Sequence, residues 1–184
     1  MGLCAKALVN QVLCEETVSL NRLNTQIPIG AIAVPPGSTM TGQTYVHILE
    51  CGPLIDMEED QVAVQIAIVA QEELVITTPL GQSFPLEFAF RIQEIVPLSN
   101  CVPSRFNLTE WELLEDLECR VTRLSGTNEM ILYPSDPPNS KNAAFDQFLN
   151  LDVHVRLLQE SQLVLVLCPP TKIPVDICNT NHVE

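Results

Sequence analysis

The sequence predicts an all-β fold, a β-sandwich or jelly roll with one short helix and extended terminal arms. Three observations predict it. Apolar and polar residues alternate at period two through the middle of the chain, the signature of half-buried strands. Turn residues punctuate those runs, with 14 prolines among the 184 residues. One stretch alone has helical character. The expected layout is an N-terminal arm over residues 1–15, one sandwich domain over residues 16–170 and a C-terminal arm over residues 171–184.

Taken in order, the opening GLCAKALVNQVL fits neither the helical nor the strand period cleanly, and reads as a helix or an extended arm. Strands are expected at Glu16–Leu20, Ile29–Val34 and Thr44–Glu50, separated by turns such as PPGS. In DQVAVQIAIVAQEELVIT, Val62, Val64, Ile66 and Ile68 share one face, while Gln61, Ala63, Gln65 and Ala67 share the other. The alternation breaks around Ala70–Glu73, so Leu74–Thr77 is expected to follow a bulge or to belong to the same hairpin. In SFPLEFAFRI, Phe84, Leu86, Phe88, Phe90 and Ile92 form one apolar face, and Pro85 marks an edge strand or a strand start.

The helical stretch is NLTEWELLEDLE. Thr109 and Glu112 have capping-box spacing, and acids fill the first turn, where the helix dipole favours them. Next, Leu117–Leu124 and Met130–Tyr133 flank SGTN, a hairpin signal. YPSDPPNSKNAAFDQFLN reads as a long loop. LDVHVRLL and QLVLVLC then read as a C-terminal hairpin turning near Glu160 and Ser161. The expectation is about eight to ten strands.

Composition narrows the function. Hydrophobic residues make up 46% of the chain and charged ones only 17%, which leaves apolar surface for a partner to cover. The net charge of −14 comes from 23 acids against nine bases, and no basic cluster exists to hold a nucleic acid backbone or an anionic membrane. No apolar run is long enough for a spanning helix, so no membrane insertion is expected. Lys6, Asn10 and Gln11 interrupt the first apolar stretch, so the expectation is synthesis in a cytoplasm without a signal peptide. Lys6 also stands where an acylated MGLC start would carry Ser or Thr.

A search for chemistry finds no G-x-S-x-G elbow and no Gly-rich phosphate loop. His47, His154 and His182 are far apart in sequence, and His154 falls on the polar face of its strand. No enzyme and no cofactor is expected. Asp56, Glu58, Glu59 and Asp60 crowd one turn, making a candidate calcium site whose plain alternative is a solvated acidic turn. Asn107 heads a glycosylation sequon that matters only in a secreted eukaryotic protein. Cys178 and His182 are half a zinc site with no second half.

Seven cysteines remain: Cys4, Cys14, Cys51, Cys101, Cys119, Cys168 and Cys178, with no C-x-x-C pair. Cys51, Cys119 and Cys168 lie in or beside apolar runs and are expected as buried, reduced thiols. Cys4, Cys14 and Cys178 lie in the expected arms and are candidates for disulfides between subunits, with Cys101 a further disulfide candidate.

The stretch VAQEELVITTPLGQSFPLEFAFRIQEIVPL, Val69–Leu98, runs from an apolar strand through a Q-E-E-L step and a Gly turn into an alternating aromatic strand that ends in Pro. In that order it resembles the β-rich domains of bacterial spore coat, exosporium and spore-appendage proteins, over roughly Val12–Cys101. The resemblance implies a non-enzymatic structural role on the spore surface, with synthesis in the mother-cell cytoplasm. It also implies a cysteine-bearing arm that links each copy to the next, with other spore-surface proteins as further partners. A long C-terminal half with its own cysteines departs from that plan. Independently, open sheet edges invite a strand from another chain, and a contact between unlike patches grows rings or filaments. The resulting expectation is a self-assembling homopolymer fixed by disulfides. The rival is a sandwich binding module for carbohydrate or another coat protein, although Trp111, the lone tryptophan, falls in the expected helix.

Overall fold

A computed structural model describes residues 3–30, 32–106, 108 and 116–167. The described chain is all-β: β1 (Leu3–Pro28), β2 (Thr39–Asp56), β3 (Gln61–Thr77), β4 (Ser83–Leu98), β5 (Leu117–Tyr133) and β6 (Ala144–Leu167), with a single 3-10 turn at Pro103–Arg105. These strands form two three-stranded antiparallel sheets, ordered β1-β6-β5 and β2-β3-β4. Hairpins join β2 to β3, β3 to β4 and β5 to β6, while the connections from β1 to β2 and from β4 to β5 cross between sheets.

Among the described residues, six long strands stand where about eight to ten strands are expected of the whole chain. The expected strand at Glu16–Leu20 is the middle of β1, whereas Ile29–Val34 is an irregular connection. SGTN is no turn: Ser125–Asn128 runs straight through β5, paired with Asp152–Leu149. Glu160 and Ser161 do not turn either, because they pair with Asn10 and Val9 and keep β6 extended. The loop at YPSDPP is real but short, ending where β6 begins at Ala144. β3 passes through Ala70–Glu73 with no register shift against β2 or β4 there. In each case a neighbouring ladder satisfies backbone groups that an isolated turn sequence would bond locally. The expected helix lies outside the described residues, except that Leu117 and Glu118 open β5.

The turns that do form are built from the residues that mark them. Gly81 holds φ +79° between β3 and β4, a conformation that costs a residue without Cβ little. Its N–H donates to the Thr78 carbonyl at 2.9 Å, and Gln82 N–H donates to Thr78 Oγ1 at 3.2 Å. At PPGS, Ser38 donates from both N–H and Oγ to the Pro35 carbonyl, at 3.2 and 2.7 Å.

The core lies between the sheets. On β3, Val62, Val64, Ile66 and Ile68 point inward as the alternation predicts, and on β6 Leu149, Leu151, Val153, Val155 and Leu157 face them. Each such side chain removed from water contributes about 1.5–3 kcal/mol. β4 is an edge strand, as Pro85 predicts, and its Phe84, Leu86, Phe88 and Phe90 are only half-buried. A second apolar cluster, around Ile29, Val34, Leu74, Ile76, Ala143 and Phe145, fills the opposite end of the sandwich. There Ser135 N–H and Oγ bond the carbonyl and N–H of Val34, at 2.7 and 2.9 Å, tying two connections together.

Among the described residues, two disulfides join the sheets. Cys14 on β1 bonds Cys101 beyond β4, and Cys51 on β2 bonds Cys119 on β5, with Cα separations of 5.7 and 5.3 Å. Leu157 on β6 stands opposite both Cys14 and Cys119, so the two bonds belt the sandwich at one level, one on each side. Cys14 is therefore committed within its own chain and is not a link between subunits. Cys51 and Cys119 are likewise a disulfide, not reduced core thiols. The β1 side carries a second tie at the same end: Glu16 accepts Ser99 Oγ at 2.6 Å and Asn100 N–H at 2.9 Å.

Candidate functional site

The expected N-terminal arm is not loose. Residues from Leu3 onward pair with β6, beginning at Leu3 opposite Leu167. β5 joins this sheet only from Leu117 opposite Gln159, which itself faces Gln11. Leu3–Asn10 and Glu160–Leu167 therefore form a two-stranded ribbon past the end of β5, about 26 Å long at roughly 3.3 Å per residue. The register shifts between Val12 and Cys14, an extra residue that bends β1 where ribbon meets sandwich. Beside this bulge the Cys14–Cys101 bond anchors the ribbon's base.

The ribbon carries apolar surface to solvent, with Leu8 63% exposed, and Val12 just past its base is 45% exposed. Among the described residues, no strand pairs with the outer edge of β1 or with β6 beyond Gln159. Such unpaired N–H and C=O rows are templates for a strand from another chain. Cys4 lies on the ribbon opposite Val166. Cys168, Cys178, His182, Asn107 and Trp111 lie outside the described residues.

The acidic turn uses its carboxylates locally. Asp56 Oδ1 accepts the N–H groups of Glu58 and Glu59 at 3.0 Å each. Asp60 accepts the N–H and Oγ–H of Ser104, at 2.8 and 2.6 Å, and these bonds hold its carboxyl below the usual range. Among the described residues, no three His, Cys, Asp or Glu side chains group as metal ligands, so Asp56, Glu58, Glu59 and Asp60 do not converge as a calcium site. His154 sits on the polar face, its Nδ1 2.6 Å from Thr122 Oγ1.

A polar layer that the sequence pattern conceals separates the two apolar clusters. On β3 the inward position between Ala70 and Leu74 is Glu72, and on β6 the one between Phe145 and Leu149 is Gln147; both are fully buried. Thr44 Oγ1 donates to Glu72 Oε2 at 2.8 Å, and Asn128 Nδ2 donates to both carboxyl oxygens at 3.3 and 3.1 Å. Gln147 Nε2 donates to Oε1, and itself accepts Asn24 Nδ2 at 2.9 Å. Asn128 Nδ2 also reaches Thr44 Oγ1 at 2.6 Å, bonding β2 to β5 across the sheet gap. Every donor is neutral, so burial prevails and pushes the Glu72 carboxyl above its ordinary range, while the bonds from Thr44, Gln147 and Asn128 pull it partly back.

Beside this layer a cleft of about 260 Å³ opens between β2 and β5, with Val46, Leu124 and Leu149 in its wall and Ser125 and Thr127 at its lining. A Cβ on Gly126, in the same wall, would run into the Asn150 carbonyl and the Leu151 side chain. QEEL held the one available signal for this layer: Glu72 keeps the even-numbered inward register of Val62–Ala70, at a place where the period reads as broken.

The arrangement defines an all-β, sandwich-like protein whose two sheets are cross-linked on both sides. Compared with protein-family models, curated proteins and solved structures, the chain matches none.

Proposed function

We propose that this chain is a non-catalytic structural protein that assembles with copies of itself, at the spore surface that its sequence resemblance implies. The β1–β6 ribbon carries the proposal: a strand pair extends beyond the third strand with exposed Leu8 and with backbone edges that no strand among the described residues pairs. A projection of that kind is costly in a solitary protein, because it exposes apolar surface and an aggregation-prone edge. Docked on a neighbour, the same features supply backbone hydrogen bonds and side-chain register.

The two disulfides support a working environment outside the reducing cytosol, where such bonds persist. With Cys14 bonded within the chain, Cys4 and Cys178 are the cysteines proposed to cross-link copies after assembly. Their role is to fix contacts that the strands make first.

Negative-stain electron microscopy of the purified chain, beside non-reducing gels, tests this reading. Ordered polymers with a covalent ladder are expected, and Cys4→Ser with Cys178→Ser should remove the ladder. A stable monomer under oxidising conditions, at every concentration tried, would sink self-assembly as the function.

A further inference from the structure

The self-assembly reading leaves open what receives the ribbon, and β4 answers that question. Its ladder with β3 runs from Ser83 opposite Thr77 to Leu98 opposite Val62 without a register shift. Pro85 and Pro97 lie inside this ladder, yet neither has an N–H to give it. Successive residues of a strand point their backbone groups to opposite sides, so these two odd-numbered positions point the same way. An unbroken ladder with β3 requires that side to be the free edge. Glu87, Ala89, Arg91, Gln93 and Ile95 therefore present their N–H and C=O groups outward, in a window closed at both ends by proline.

We propose that this window, Glu87–Ile95 on the β4 edge, is the docking site for the outer edge of Leu3–Asn10 in a second copy. The proposal rests on the self-assembly reading and names its joint. Length fits: nine residues of window span about 30 Å, and eight residues of ribbon about 26 Å. Access fits as well. The ties between the β1 side and the end of β4, namely Cys14–Cys101 and the bonds of Glu16 to Ser99 and Asn100, all lie past Pro97. Charge fits too. In a chain with 23 acids and nine bases, Met1–Cys14 holds no acid and one base, Lys6, so this segment approaches an acidic body without repulsion.

Finally, Phe84, Leu86, Phe88 and Phe90 on the inner face of β4 are only half-buried, while Ile66, Ile68 and Ala70 on β3 are fully buried. An added strand would lay its own inner side chains over that exposed flank. The joint is heterologous, ribbon to edge, so it repeats from copy to copy, each time joining the β5-β6-β1 sheet of one copy to the β4-β3-β2 sheet of the next.

Ala89→Pro and Gln93→Pro test the window, since each removes an outward N–H and leaves the β3 ladder its donors. Both variants are expected to keep the wild-type circular dichroism and cooperative unfolding, and to lose polymers in negative stain and sedimentation velocity. Hydrogen exchange on the wild type checks the same site without mutation. Amides of Glu87, Ala89, Arg91, Gln93 and Ile95 should slow about tenfold or more on assembly. Folded Ala89→Pro that still polymerises, or exchange unchanged in those five amides, overturns the window and leaves self-assembly standing. A wild type that never polymerises overturns both.

Discussion

Replacing Cys14 and Cys101 together by serine removes one side of the belt that holds the sheets. The bond closes a loop of 87 residues, for which the chain-entropy model gives about 4–5 kcal/mol of stabilisation through the unfolded state. For a domain of this size each kcal/mol shifts the melting temperature by roughly 2–4 °C, so the double variant should melt about 8–20 °C lower. Guanidinium titration of wild type and variant in parallel gives the free energy directly. The slope should rise in the variant, because a chain freed of the cross-link exposes more surface when it unfolds. Peptide mapping without reductant should recover Cys14 joined to Cys101 in the monomer. The reasoning fails if the double variant unfolds within about 1 kcal/mol of wild type. It fails more completely if Cys14→Ser alone abolishes a covalent dimer, since Cys14 would then pair between chains.

Other consequences follow from the core. Glu72 has a raised pKa, so its proton favours the folded state; that contribution is complete below its ordinary value of 4.5 and is lost as pH rises through the raised one. Glu72→Gln should therefore gain stability relative to wild type between about pH 4 and pH 8, which urea titrations at both pH values would check. Gly126→Val places carbon against the Asn150 carbonyl and Leu151, and should cost about 1–3 kcal/mol in chemical denaturation. Ile66→Ala empties a fully buried position on β3 and should cost about 2–5 kcal/mol by the same measurement.

The sequence by itself determined the β class and much of the inward register. Val62, Val64, Ile66 and Ile68 face the core, and the Phe84–Ile92 alternation lies on an edge strand, because period two is a local property of a strand. It also marked the turns at PPGS and Gly81, where the local backbone conformation decides. Only the tertiary structure decided how far each strand runs. Ser125–Asn128 and Glu160–Ser161 have turn chemistry but stay extended, since the ladder of β6 or β1 offers their backbone groups partners that are distant in sequence. Tertiary structure likewise decided the cysteine pairs and the Glu72 layer. Cys14 and Cys101 are 87 residues apart, and the four side chains that donate directly or through Gln147 to Glu72 come from β2, β5, β6 and β1. Contacts of that separation exist only once two sheets have closed on each other, so no local pattern in the chain encodes them.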